Sequence, residues 1–142
     1  MQTMLERFNM VGCKPVSTPS EPNTHLVRGD QPRVPDPQLL RDYQQLIGGL
    51  MYLSCFTRPD ISHAVNQCSK FMSNPGPEHM IAAKRILHYL SGTKHLKLTY
   101  RRSENPLVAN RLTCYADSDH AGDPDTRRSV TCLLYTSPSP RD

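Results

Sequence analysis

Residues 37–92 read PQLLRDYQQLIGGLMYLSCFTRPDISHAVNQCSKFMSNPGPEHMIAAKRILHYLSG, and three prolines divide them into three helical patterns. Pro37, Pro59 and Pro77 each suit a helix start, because a first-turn proline lacks an N–H that would have no partner there and brings a φ already set for the helix. Behind Pro37, the residues Leu39, Leu40, Tyr43, Leu46, Ile47, Leu50 and Leu53 recur three and four apart, which is one apolar stripe of a helix. Asp36 precedes it as a cap, and Gly48 with Gly49 weaken its middle. Behind Pro59, the residues Ile61, Ala64, Val65, Cys68, Phe71 and Met72 form a second stripe that stops before Pro75. Behind Pro77, Ala82, Ala83, Ile86 and Leu90 point inward and Gly92 ends the helix. Three helices in succession predict an antiparallel cluster.

Upstream, six prolines fall between Lys14 and Pro37 among polar residues with no apolar period, which predicts an extended connector separating two pieces of structure. Before it, Met4, Leu5, Phe8 and Met10 read as the last turns of a helix that ends near Gly12 and begins upstream of Met1. Downstream of Gly92 the period changes. Leu96, Leu98 and Tyr100 alternate with Lys97, Thr99 and Arg101, the pattern of a half-buried strand. A second strand is expected from Arg111 to Asp117, delivering the acidic, turn-rich run Asp117, Asp119, Asp123 and Asp125 to its end. The predicted class is α+β: a Pro-rich connector over 14–37, a three-helix cluster over 38–93, and strands over 94–131.

The chain has 142 residues, of which 29 are Leu, Ile, Val or Phe, so its core is modest and it holds one small domain or pieces of two. No run approaches 18 apolar residues, and the first ten carry Glu6 and Arg7, so neither a membrane span nor a secretion signal is indicated. Cys13, Cys55, Cys68, Cys114 and Cys132 include no Cys-x-x-Cys pair, and the six histidines add no zinc spacing. A reducing intracellular setting, cytoplasm or nucleus, fits this cysteine usage. The net charge of +4 is unevenly placed: Lys84, Arg85, Lys94, Lys97, Arg101 and Arg102 lie between Glu78 and Glu104 with no acid among them. Charge alone makes this a solvated helix face more readily than a phosphate-binding surface.

Four strings then match one family in order: MLERFNMVGCKPVSTP at 4–19, YQQLIGGLMYLSCFTRPDI at 43–61, FMSNPGPEHMIAAKRILHYLSGT at 71–93 and YADSDHAGDPDTRRS at 115–129. In them the sequence resembles the Pol polyprotein of copia-group LTR retrotransposons. The resemblance implies that residues 1–13 end the reverse transcriptase domain, that 38–93 belong to its thumb and connection, and that 94–131 begin a ribonuclease H-like domain. It further implies an RNA–DNA hybrid as partner and the basic run as a backbone-tracking surface, which puts that reading level with the solvated face. Residues 132–142, CLLYTSPSPRD, do not continue the expected next strand; they resemble a translated sequencing adapter and are set aside.

By position, Asp117 matches the family's first catalytic aspartate, with Asp119 two residues on as a second Mg²⁺ ligand. Two-metal hydrolysis needs a cluster of carboxylates. The fragment alone is therefore expected neither to hold Mg²⁺ tightly nor to cleave RNA, whereas the resemblance implies that the intact parent is an RNA-directed DNA polymerase and ribonuclease H. A calcium-loop reading of the same run fails, because Ala121 and Arg128 stand where ligands belong. His120 departs from the aromatic residue common in the family at that place. The Thr57-Arg58-Pro59-Asp60 motif reads as structural, with Pro59 opening a helix and Asp60 in its positive first turn. The alternative function is a stand-alone retroelement-derived protein that acts as a non-catalytic interaction or effector-like module.

Overall fold

The computed structural model describes residues 2–22, 24–27, 36–96, 113–118, 125, 129 and 131–136. The chain divides into two compact units, Met1–Leu98 and Thr99–Asp142. The first is helical: α1 (Gln2–Arg7), α2 (Pro37–Phe56), a 3₁₀ turn (Pro59–Ile61), α3 (Ser62–Ser69) and α4 (Pro77–Gly92).

Helix α2 begins where Asp36 Oδ1 accepts the Gln38 N–H at 3.0 Å, with Pro37 in the first turn. Its inward stripe, Tyr43, Leu46, Ile47, Leu50 and Leu53, is buried against Ile61, Ala64, Val65, Cys68 and Phe71 and against Ala83, Ile86, Leu87 and Leu90 of α4. Inside this cluster the Tyr43 hydroxyl donates to the Cys68 carbonyl at 2.7 Å, tying α2 to the end of α3. Burial pushes the Cys68 thiol up to about 11, so it packs as an inert apolar group.

Three local expectations change. The helix expected from Pro59 opens as a single 3₁₀ turn, and the α-helical part ends at Ser69, leaving Phe71 and Met72 in the turns that follow. Phe71 stays buried because the Phe71 N–H bonds back to the Cys68 carbonyl at 3.1 Å. At the N-terminus α1 stops at Arg7 rather than near Gly12. Asn9 takes a left-handed φ of 56°, the Met10 N–H reaches the Leu5 carbonyl at 2.7 Å and the Asn9 N–H reaches Glu6 at 3.1 Å. That pair of bonds is a Schellman ending, for which Asn is the usual substitute for Gly.

The third change concerns the expected separation at the connector: the elements on either side of it share one core. Leu5 of α1 is fully buried in the same core as α2 to α4. Met4 lies over Gly49 and Arg7 Nη2 donates to Gln45 Oε1 at 2.8 Å, so α1 runs antiparallel to α2. A Cβ on Gly49 would stand 2.9 Å from Met4 Cε and 3.0 Å from its Sδ, whereas one on Gly48 would meet nothing within 4 Å. The glycine pair thus holds one position for close helix approach and one facing outward.

In the second unit β1 (Thr113–Ser118) pairs antiparallel with β2 (Thr131–Thr136), Thr113 opposite Thr136 and Asp117 opposite Cys132. Five of the six β2 residues lie in the stretch set aside as adapter-like, so a strand stands where none was expected. Ladder bonds use backbone groups that any sequence carries, and the pairing does not bear on where those residues come from. The alternating segment from Lys97 to Arg101 lies outside the described residues.

Replacing each glycine in turn tests the helix approach. Gly48→Ala should stabilise the chain by about 0.5–1 kcal/mol through helix propensity alone. Gly49→Ala should gain less or lose stability, because Met4 must move. Thermal melts followed by circular dichroism at 222 nm would show the two variants shifting alike if α1 did not dock at Gly49.

Candidate functional site

The residues named from sequence fall in both units. Lys84 and Lys94 are exposed, on α4 and in the turn after it. Arg85 is different: it is half-buried, its Nη2 donates to Thr18 Oγ1 at 3.2 Å, and its Nε is buried with no hydrogen-bond partner among the described residues. It faces the protein more than solvent. Lys97, Arg101, Arg102 and Asp119 lie outside the described residues. Asp117 is the fifth residue of β1, one short of its end, in the other unit.

What covers Arg85 is the Pro-rich segment, which lies along α4 as a strap. His88 Nδ1 donates to the Lys14 carbonyl at 2.8 Å, and the Cys13 thiol reaches Ser91 Oγ at 3.4 Å. Pro15 packs so close to Gly92 that a Cβ there would lie 2.6 Å from the Pro15 Cβ. Further along, His79 Nε2 meets the Val27 carbonyl at 3.2 Å. Since His79 Nδ1 accepts the Gly76 N–H at 2.7 Å, Nε2 carries the proton and the ring is neutral. The ring is buried and stacked on Phe71 at 3.9 Å between centroids, so His79 caps α4 and anchors the strap. Sequence reasoning missed both the strap and this role, because neither has a periodic signal.

The second cluster is built on Arg58, which is 3% exposed. Its Nε and Nη2 grip Asp60 Oδ1 and Oδ2 at 2.9 and 2.7 Å, a two-pronged pair. Its Nη1 donates to the Thr93 carbonyl at 3.0 Å and Nη2 to the Thr93 hydroxyl at 2.7 Å, closing the C-terminus of α4. The guanidinium lies 5.6 Å from the centre of the Tyr89 ring, and the Tyr89 hydroxyl donates to Asp60 Oδ2 at 2.9 Å. The motif is structural, but Asp60 acts as the counter-ion of a buried arginine rather than through a helix dipole alone. The Arg58 hydrogen bonds are the main reason the Asp60 carboxyl is held below its ordinary 3.8; burial opposes them and Tyr89 reinforces them.

The outer face of α2 carries a third feature. Tyr52 and Phe56 are 64% and 65% exposed with ring centres 4.7 Å apart, beside exposed Met51 and Cys55. Their apolar character off the buried stripe was visible in the sequence, and the two rings pack on each other.

No group of three or more His, Cys, Asp or Glu side chains gathers for a metal among the described residues. Asp117 is the one carboxylate that β1 carries, and a two-metal centre needs several. Among the described residues no helix is long and apolar enough to cross a membrane.

Comparison with known proteins places these features in a lineage. The chain is 41% identical, over 96% of its length, to a retrovirus-related Pol polyprotein from transposon TNT 1-94 of Nicotiana tabacum. It is 43% identical, over 86% of its length, to one from transposon RE1 of Arabidopsis thaliana. It spans 10% and 8% of those two polyproteins. A secreted RxLR effector protein of Plasmopara viticola is 40% identical over 66% of the chain and 63% of its own length. No family model and no solved structure matches. The class is thus a segment of a mobile-element polyprotein, and the chain belongs to the copia-type retrovirus-related Pol polyproteins.

Arg58→Ala should cost about 2–3 kcal/mol, somewhat less than breaking a fully buried ion pair, because the Asp60 side chain is 33% exposed. Asp60 also carries a pH signature. Its folded value lies below its unfolded one, so its contribution is present above pH 3.8 and lost as pH falls through the folded value. Denaturant melts should find Asp60→Asn less stable than the parent near neutral pH, with the gap closing below pH 3.8. A gap unchanged by pH would remove Asp60 from the network.

Proposed function

We propose that within the intact polyprotein this chain carries an RNA–DNA hybrid from the polymerase toward a ribonuclease H-like domain, gripping phosphates without reading bases. The observation that carries this reading is the 41% and 43% identity to two Pol polyproteins across 96% and 86% of the chain. The exposed Lys84 and Lys94 support it as part of a backbone-tracking surface, joined in sequence by Lys97, Arg101 and Arg102. Arg85, held under the strap, contributes to that surface only where the strap is lifted.

In the same reading β1 is the first strand of the ribonuclease H-like sheet, and Asp117 is one of several carboxylates that together hold Mg²⁺ in the complete protein. Polymerase and nuclease activity belong to that complete protein. The 142-residue chain binds hybrid weakly and does not cleave it. A second reading, a non-catalytic interaction or effector-like module, is supported by the 40% identity to a secreted RxLR effector protein.

Two measurements separate these readings. Hybrid binding by the chain should fall steeply with salt, by about 100-fold for an approximately fourfold rise if four phosphates are neutralised. Changing Lys84, Lys94, Lys97, Arg101 and Arg102 to Gln should remove most of it; salt-insensitive or absent binding favours the interaction module. In a chain extended through the whole nuclease domain, Asp117→Asn should keep hybrid binding while RNA cleavage in Mg²⁺ collapses. Full cleavage by that variant would remove Asp117 from the metal site.

A further inference from the structure

We propose that Thr18 is a phosphorylation site whose phosphate is received by Arg85. Two independent features of the strap meet at this residue. Thr18, itself half-buried, is followed by Pro19 in a segment of bends without helix or strand, flanked by exposed Ser17 and Ser20, and a Thr-Pro pair in such an irregular segment is what proline-directed kinases accept. The Thr18 hydroxyl also lies 3.2 Å from Arg85 Nη2, while Arg85 Nε, the other prong on the same edge of the guanidinium, is buried with no hydrogen-bond partner among the described residues.

A hydroxyl oxygen engages only one of those two prongs. A buried N–H left unsatisfied costs about 1–3 kcal/mol, so the present arrangement is incomplete on the arginine side. A phosphate carries three acceptor oxygens and close to two negative charges at neutral pH, and its geometry matches the paired Nε and Nη2 donors of arginine. Transfer follows ordinary kinase chemistry. Thr18 Oγ1 bonds to the γ-phosphorus of a nucleoside triphosphate, the bond from that phosphorus to the β–γ bridging oxygen breaks, the nucleoside diphosphate leaves, and the hydroxyl proton passes to the kinase's base.

The consequence lies in the strap. It already holds α4 through Lys14 at His88, Pro15 at Gly92 and Val27 at His79. Converting the Thr18 contact into a doubly bonded ion pair fastens the middle of the strap over α4 and withdraws the Arg85 charge from any external phosphate.

The full 142-residue chain, incubated with a proline-directed kinase and ATP, tests this. Peptide mass spectrometry should place a phosphate on Thr18, and the phosphorylated chain should melt about 4–8 °C higher than the untreated one. In ³¹P NMR titrations the second ionisation of the phosphate should lie lower in the folded chain than in the same chain in denaturant, because Arg85 favours the dianion. Arg85→Gln should accept the phosphate but lose both effects, and Thr18→Val should take up none at this position. Absence of phosphate from Thr18, an unchanged or lower melting temperature, or identical ³¹P titrations in the folded and denatured chain would each overturn the proposal. The NMR comparison needs no Arg85 variant, so it decides the matter even where Arg85→Gln fails to fold.

Discussion

The arginine at position 58 is the constraint around which the helical unit is arranged. A guanidinium cannot shed its charge, so taking it to 3% exposure requires that its donors be met. Asp60 supplies a matched carboxylate two residues away, and Thr93 supplies a carbonyl and a hydroxyl thirty-five residues away. The near partner sets the sharp 3₁₀ turn between α2 and α3. The distant one holds the end of α4 beside that turn, which fixes the angle at which α4 can close the core. A lysine could not replace this arrangement, because a single ammonium lacks the planar fork that serves both partners at once.

The strap is the second consequence of burying α4 on more than one side. Ile86, Leu87 and Leu90 face the helical core, and Arg85, His88 and Ser91 face residues 13–18. A proline-rich segment suits this place because its extended backbone forms few bonds of its own and leaves its carbonyls free for side chains of the helix. Lys14 and Val27 use their carbonyls in this way. The same packing divides the basic run: Lys84 is left to solvent and Arg85, its neighbour in sequence, is taken inward.

For a piece of a polyprotein, this division bears on function. Sequence-independent grip on a hybrid needs charges that reach phosphate without first displacing protein contacts. Lys84 and Lys94 meet that condition and Arg85 does not. The outward aromatic pair Tyr52 and Phe56 adds an apolar face on α2, while Asp117 sits in a two-stranded ladder that needs further strands or a covering helix for independent stability.

The sequence by itself determined what depends on neighbours along the chain. Pro37, Pro59 and Pro77 begin their elements because the proline ring sets φ locally, and the α2 stripe from Tyr43 to Leu53 is buried because helical periodicity alone places those residues on one face. The family was legible for the same reason, in short ordered strings. Tertiary structure alone decided the rest: that Asn9 rather than Gly12 ends α1, that Lys14, Pro15, Thr18 and Val27 lie on α4 instead of bridging two bodies, and that Arg58 and His79 are buried and fully engaged. An arginine or a histidine reads as solvent-facing until distant partners come within hydrogen-bonding reach. Those partners, Thr93 for Arg58 and Val27 for His79, lie thirty-five and fifty-two residues away, beyond anything a local pattern records.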